Sequence, residues 1–156
     1  MVGIGYDIHR LEQGQSLILG GIKIESEIGT VAHSDGDVLI HSIIDALLGA
    51  TSLGDIGDYF PDNSPKYENI DSTELLLFVN AMLIENGYSV VNIDATIVLE
   101  KPKLADYKLA IKNSLAKILS LSEKQINIKA TTNEKLDSIG NSRAIAVFSV
   151  CQLVKN

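Results

Sequence analysis

The segment Ala144-Ile-Ala-Val-Phe-Ser-Val-Cys-Gln-Leu-Val154 places apolar residues on both faces of an extended chain. A strand of that kind belongs at the centre of a sheet, because an edge position would leave apolar surface and unpaired backbone groups in water. The strand is expected to run from Arg143 to Val154, and the remaining elements have to be fitted around it.

Upstream, a first strand reads over about Val2 to Leu11. Ser16–Leu19 and Ile22–Glu25 then flank Gly20-Gly21, a pair that tolerates the positive φ of a tight hairpin turn. From Ser34 to Gly49, Val38, Ile40, Ile44, Leu47 and Leu48 recur with helical spacing, with Ser34 or Asp35 available as a cap. A second helix reads from Ser72 to Asn86, with Glu74 in its first turn and Gly87 to end it. Val91, Ile93, Ala95, Ile97 and Leu99 alternate with mostly polar neighbours as in a strand covered on one face, and a third helix follows from about Ala105 to Leu119. With a further strand over Ile126–Thr131, the order predicts an α+β sandwich: a mixed sheet with helices packed on one face.

A chain of 156 residues that is 46% hydrophobic can bury one self-sufficient core, so one domain is expected over residues 1–156. The net charge of −7 and the scattered lysines argue against a nucleic-acid partner. The lone cysteine, Cys151, sits in the apolar C-terminal stretch and is expected to be inert. No run approaches the roughly 18 apolar residues of a membrane span, and the N-terminus lacks a signal-peptide pattern. A soluble, cytoplasmic protein with no membrane partner is expected.

All three histidines, His9, His33 and His41, fall in the first quarter of the chain. Asp7 and His9 are two apart on a strand and so point to one face. Asp37, His41 and Asp45 are spaced by four and lie along one helical stripe. Two imidazoles and a carboxylate from Asp7, His9 and His41 make a three-ligand zinc set with a fourth position open, and Asp45 can serve as an outer partner of His41. The same spacings also suit carboxylates and imidazoles that merely decorate a strand and a helix. His33-Ser34-Asp35-Gly36-Asp37 opens a helix, where free amides and the helix dipole favour a phosphate; Ser34 can equally be a simple cap. The glycine- and aspartate-rich loop from Gly54 to Asp62 and the polar exit Lys129–Leu136 can approach a phosphorylated ligand, and Glu134 can hold Mg²⁺.

Taken together, Gly5-Tyr-Asp-Ile-His-Arg10, His33-Ser-Asp-Gly-Asp-Val-Leu-Ile-His41, Asp45-Ala-Leu-Leu-Gly-Ala50 and Gly54-Asp-Ile-Gly57 resemble the 2-C-methyl-D-erythritol 2,4-cyclodiphosphate synthase family. Phe60-Pro-Asp62, Asp94-Ala-Thr96, Lys101-Pro-Lys103, Lys129-Ala-Thr-Thr132 and Glu134-Lys135 continue the likeness along essentially the whole chain. The resemblance implies a zinc ion per subunit on Asp7, His9 and His41, and Mg²⁺ or Mn²⁺ on Glu134 at the substrate diphosphate. It implies phosphate contacts from His33 and Ser34, sugar contacts from Asp55 and Gly57, and a closing loop of Phe60, Pro61, Asp62, Asn63 and Ser64. Leu99, Glu100, Lys101, Pro102, Lys103, Leu104 and Ala105 correspond to the cytidine pocket, and Thr131, Thr132, Asn133 and Glu134 to the diphosphate margin. Asp7 and His9 also border the substrate, while His33 and Thr132 resemble the transition-state stabilisers.

The reaction so implied is intramolecular attack of a 2-phosphate on a β-phosphorus, with CMP leaving and a cyclic diphosphate formed, in non-mevalonate isoprenoid biosynthesis. A homotrimer with active sites between subunits is implied as well. After Leu136 the chain departs from the family's Gly-Phe-Thr-Gly-Arg-Gly-Glu-Gly pattern: Ser138 stands for the phenylalanine, Asn141 for the arginine and Arg143 for the glutamate. Arg143, two residues beyond Asn141 on one strand, is expected to share its face. A zinc-dependent phosphohydrolase, or a binding module with a closed structural metal site, remains an alternative on the residues alone.

Overall fold

The computed structural model describes residues 1–61, 64–67 and 69–156. The chain begins as strand β1 (Val2–Gln13), turns through the short strands β2 (Leu17–Leu19) and β3 (Ile22–Ile24), and returns beside β1 as β4 (Ile28–Val31). Gly20 and Gly21 make the hairpin turn with φ of 62° and 74°, the left-handed values that a two-residue turn needs at both positions. Helix α1 (Val38–Thr51), the one-turn helix α2 (Ile56–Tyr59) and helix α3 (Ser72–Glu85) follow. Strand β5 (Tyr88–Val98), helix α4 (Lys108–Leu119), strand β6 (Ile126–Thr131), the short helix α5 (Asp137–Gly140) and strand β7 (Ala144–Lys155) complete the chain.

The main sheet has the order β4-β1-β7-β5-β6, with β5 and β6 parallel and every other pair antiparallel. The doubly apolar strand β7 therefore occupies the centre, as its composition requires. Helices α1, α3 and α4 cover one face, which gives the expected α+β layering around a mixed sheet. The covered face presents Ile145, Val147, Cys151 and Leu153 of β7 with Ile93, Ala95 and Ile97 of β5, all buried with Leu39, Ile43 and Leu47 of α1. Burial pushes the Cys151 thiol up to about 12, so it stays protonated and inert. Among the described residues, no helix is long and apolar enough to cross a membrane.

Glycine sets how closely α1 approaches the sheet. A Cβ on Gly3 would overlap the carbonyl oxygen of Ala46, and one on Gly5 that of Ser42, so β1 meets the helix backbone to backbone. Beside this contact, Ser42 and Ser149 join helix to central strand through a buried hydroxyl pair at 2.6 Å. The opposite face of the sheet is bare over β1 and β7, where Ile4 is 70% exposed and Val2, Tyr6, Ile8, Phe148 and Val150 lie open beside it. Over β5 and β6 that face turns polar, and Lys129 donates to Asp94 at 2.7 Å.

Several expected boundaries shift for identifiable reasons. Helix α1 starts at Val38 because Asp37, not Ser34 or Asp35, is the cap, its carboxylate accepting from the Ile40 amide at 3.0 Å. A β-bulge between Val90 and Asn92 reverses the alternation of β5, so Val91 faces solvent while Val90 is buried. Helix α4 starts at Lys108, after the Leu104 carbonyl has accepted turn bonds from Tyr107 and Lys108. Strand β4 is too short for its alternation to register in the sequence. Asn141 ends α5 and Ser142 has a φ of 57°, so Asn141 and Arg143 do not share a strand face. Gly5→Ala should cost at least ~2 kcal/mol through overpacking against the Ser42 carbonyl, measured by chemical denaturation; an unchanged midpoint would contradict the close seating of α1.

Candidate active site and metal centre

The strand that α1 sits on carries the site. Continuing from Gly3 and Gly5 along the same face of β1, period-2 alternation brings Asp7 and His9 to the N-terminal part of α1, where His41 projects toward them. The Asp7 carboxylate is aimed by its own neighbour, because the Ile8 amide donates to Oδ1 at 2.8 Å and leaves Oδ2 facing the cleft. His9 Nδ1 and His41 Nδ1 each lie 3.2 Å from that Oδ2. One ligand atom from each of the three residues falls within 4.8 Å of the others.

Apart from these 3.2 Å contacts with one another, Asp7 Oδ2 and His9 Nδ1 are buried without a hydrogen-bond partner. Such atoms are costly to leave unsatisfied, and a cation at their convergence satisfies them together. Burial alone would raise the Asp7 pKa, but contact with His41 and His9 outweighs it and lowers the group from 3.8 to about 2. Burial likewise opposes a charge on His41, yet the Asp7 carboxylate prevails and raises the ring above 6.5. The Asp7 carboxylate and the His41 ring therefore favour each other's charged forms at the floor of the site.

That floor opens into a cleft of about 300 Å³ lined by Asp7, His9, His33, Ser34, His41, Asp45, Gly57 and Phe60 among others. His33, Ser34 and Gly57 are thus placed around the three ligands, while Asp55 lies outside the lining and caps α2 through the Asp58 amide at 3.2 Å. Phe60 is held at the rim by edge-on contacts with Tyr67 and Phe78. Pro61 and Ser64 do not line the cleft, and Asp62 and Asn63 fall outside the described residues.

The N-terminus of α1 does not provide the expected row of free amides. Asp37 is fully buried there and accepts from Gly21 at 2.7 Å as well as from Ile40, while Ser34 and Asp35 take the Gly36 and Asp37 amides. Burial raises the Asp37 pKa to about 6. Asp45 is also not the partner of His41: its carboxylate accepts from the Ile56 amide at 2.8 Å and anchors α2. Burial raises Asp45 as well. The atom that His41 Nε2 meets is Ser72 Oγ at 2.9 Å, with Asp35 behind it. Ser72 reads in the sequence only as a helix start, and nothing there signals that the first turn of α3 packs on His41.

A second cleft of about 210 Å³ is lined by Leu99, Glu100, Pro102, Lys103, Leu104, Ala105, Thr131 and Thr132 among others. Leu99 donates its amide to Thr131 at 3.0 Å, and the Asn133 amide donates to Glu100 at 3.2 Å, so the two expected nucleotide segments meet. Thr132 donates to Glu134 at 3.2 Å. Lys101 stands outside the lining, joined to Pro102 by a cis peptide bond. Among the described residues, the cleft around Asp7, His9 and His41 and this second cleft share no lining residue.

A sequence profile described as the YgbB family matches residues 1–154. The chain is 49% identical over 154 residues to a 2-C-methyl-D-erythritol 2,4-cyclodiphosphate synthase of Clostridium perfringens, covering 99% of each. It superposes on a solved 2C-methyl-D-erythritol-2,4-cyclodiphosphate synthase in its CDP-bound form with a TM-score of 0.91 at 34% identity, covering 99% of this chain and 100% of that one. Against a bifunctional IspDF from Campylobacter jejuni the TM-score is 0.96 at 43% identity; there 99% of this chain spans 42% of the longer protein.

In metal-free protein, the Asp7 contribution to stability is present above 3.8 and lost as pH falls toward about 2; that of His41 is present below 6.5 and lost as pH rises through its raised value. The pair therefore stabilises most between about pH 4 and pH 6.5. His41→Ala should destabilise the chelator-treated protein more at pH 5 than at pH 8, read from urea midpoints. An equal cost at both would contradict the pairing.

Proposed function

The chain belongs to the YgbB family, the 2-C-methyl-D-erythritol 2,4-cyclodiphosphate synthases of non-mevalonate isoprenoid biosynthesis, and from that membership we propose how its residues carry the reaction. The substrate is 4-diphosphocytidyl-2-C-methyl-D-erythritol 2-phosphate. An oxygen of the 2-phosphate attacks the β-phosphorus, the bond from that phosphorus to the bridging oxygen of CMP breaks, and the cyclic diphosphate and CMP separate. The nucleophile is tethered to its target, so the protein's task is to fold the substrate and balance its charge.

Asp7, His9 and His41 hold the zinc ion in this reading. The observation that carries it is the convergence of two imidazoles and one carboxylate, two of whose buried ligand atoms have no hydrogen-bond partner. Two nitrogens and one oxygen suit zinc and leave a fourth position open. Zinc there, with Mg²⁺ or Mn²⁺ held by Glu134, supplies Lewis acidity and charge neutralisation to the phosphates.

The surrounding side chains position the substrate. Ser34 accepts from the Gly36 amide at 3.2 Å, which leaves its hydroxyl hydrogen free to donate to a phosphate oxygen. His33, exposed at the cleft mouth, donates to the same phosphate region, and Thr132 donates across the diphosphate as charge redistributes. Asp55 and Gly57 meet the sugar hydroxyls, Phe60 borders the methylerythritol end, and the backbone of Leu99–Ala105 receives the cytosine.

Because the two clefts are separate, the active site is assembled between subunits of a homotrimer, with one zinc per subunit. The bare apolar face of β1 and β7 supports that assembly, since a patch of this kind on a chain of this size is normally covered by a partner. A cytoplasmic location accords with a biosynthetic enzyme of this family.

The test is a mass-spectrometric product assay on the authentic substrate. Cyclic diphosphate plus CMP should appear with the zinc-loaded protein and vanish on chelation. His41→Ala should lose most bound zinc by elemental analysis and fall at least about a hundredfold in turnover. An uncyclised bisphosphate and CMP, from attack of water on the β-phosphorus in place of the 2-phosphate, would favour a phosphohydrolase; full zinc content in His41→Ala would overturn the ligand assignment.

A further inference from the structure

His41 is gripped from behind by two residues that the reaction itself does not use. Ser72 Oγ lies 2.9 Å from His41 Nε2, and Ser72 in turn donates to Asp35 Oδ1 at 2.5 Å. Asp35 Oδ2 accepts the Ser72 amide at 3.0 Å, and Oδ1 also takes the Asp37 amide at 3.2 Å. Ser72 is completely buried, in the first turn of α3. The first turn of α3 therefore meets the ring nitrogen directly, and the loop before α1 holds that turn through Asp35.

The direction of these bonds follows from proton inventory. An ionised carboxylate has no hydrogen to give, so the single hydroxyl hydrogen of Ser72 is committed to Asp35. The oxygen can then only accept from His41, which places the hydrogen of the neutral ring on Nε2. Nδ1, 3.2 Å from Asp7 Oδ2, is then left without a hydrogen, on the side where the ligand atoms of Asp7, His9 and His41 converge. The other hydroxyl within reach, Ser34 Oγ at 3.4 Å, is farther and already accepts from Gly36.

We propose that Ser72 and Asp35 are positioning residues that fix the tautomer and orientation of His41, so that Nδ1 is presented ready to bind the metal. The proposal deepens the reading of Asp7, His9 and His41 as a metal centre and rests on it. Outer partners of this kind hold a ligating imidazole against rotation and make it a better donor. Asp35 also ties the start of α3 to the loop before α1, so the test must separate metal presentation from simple bracing.

Two measurements on the 156-residue chain do so. The first is ¹⁵N NMR of the imidazoles in chelator-treated protein, at a pH where the His41 ring is neutral. The Nε2–H tautomer is expected in wild type, and the Nδ1–H tautomer would overturn the proposal whether or not any variant folds. The second is titration with Co²⁺, read from the visible bands of the four-coordinate ion. Ser72→Ala should bind about ten- to a hundredfold more weakly and show mixed His41 tautomers, while Ser72→Thr, which keeps the hydroxyl, should recover to within about threefold. Wild-type affinity and tautomer in Ser72→Ala, with circular dichroism unchanged, would overturn it. If wild-type protein takes up no Co²⁺, the metal-centre reading fails, and the tautomer measurement still decides the role of Ser72.

Discussion

Helix α1 rests on β1 with no side chain between their backbones, because positions 3 and 5 of the strand are glycine. The next residues on that face, Asp7 and His9, are carried to the helix at close range and meet His41 there. The same contact draws Ser42 onto Ser149 and so fixes α1 against the central strand. A larger residue at either glycine would lift the helix and separate the ligand atoms, so packing and chemistry are not independent here. The hairpin turn at Gly20-Gly21 is drawn in as well, since Gly21 donates to the buried Asp37 that caps α1.

A second constraint comes from the placement of the two clefts. The triad floors one cleft and the nucleotide-type residues line another, with no residue in common. A substrate that reaches from a cytidine to a methylerythritol phosphate needs both. The sheet face opposite α1 exposes Ile4, Tyr6, Ile8, Phe148 and Val150, with the Tyr6 and Phe148 rings 4.8 Å apart. The proposed subunit assembly would cover this apolar second face of β7, which the helices leave bare.

Much of this was legible in the sequence where a local rule decides. Periodicity located α3, β6 and β7, turn chemistry located Gly20-Gly21, and two-residue spacing put Asp7 and His9 on one face. What was not legible depended on contacts between distant segments. The cap of α1 went to Asp37 because a hairpin sixteen residues earlier supplies Gly21 as a second donor. Asp45 sits one helical turn from His41, yet is claimed by the Ile56 amide, and the partner of His41 comes from Ser72, thirty-one residues away. Val91 fits an alternating pattern that the bulge at Val90 and Asn92 interrupts.

In the proposed reaction the metal cleft of one subunit works with the nucleotide cleft of another, and subunit complementation tests that sharing. His41→Ala spoils only the first cleft and Thr132→Ala only the second, so each is inactive alone. Mixed from the unfolded state in equal amounts and refolded, they should regain activity, because random assortment in a trimer leaves roughly a quarter of the sites with both halves intact. Activity that stays at the level of the separate variants, in trimers shown by mass spectrometry to be mixed, would contradict an active site shared between subunits.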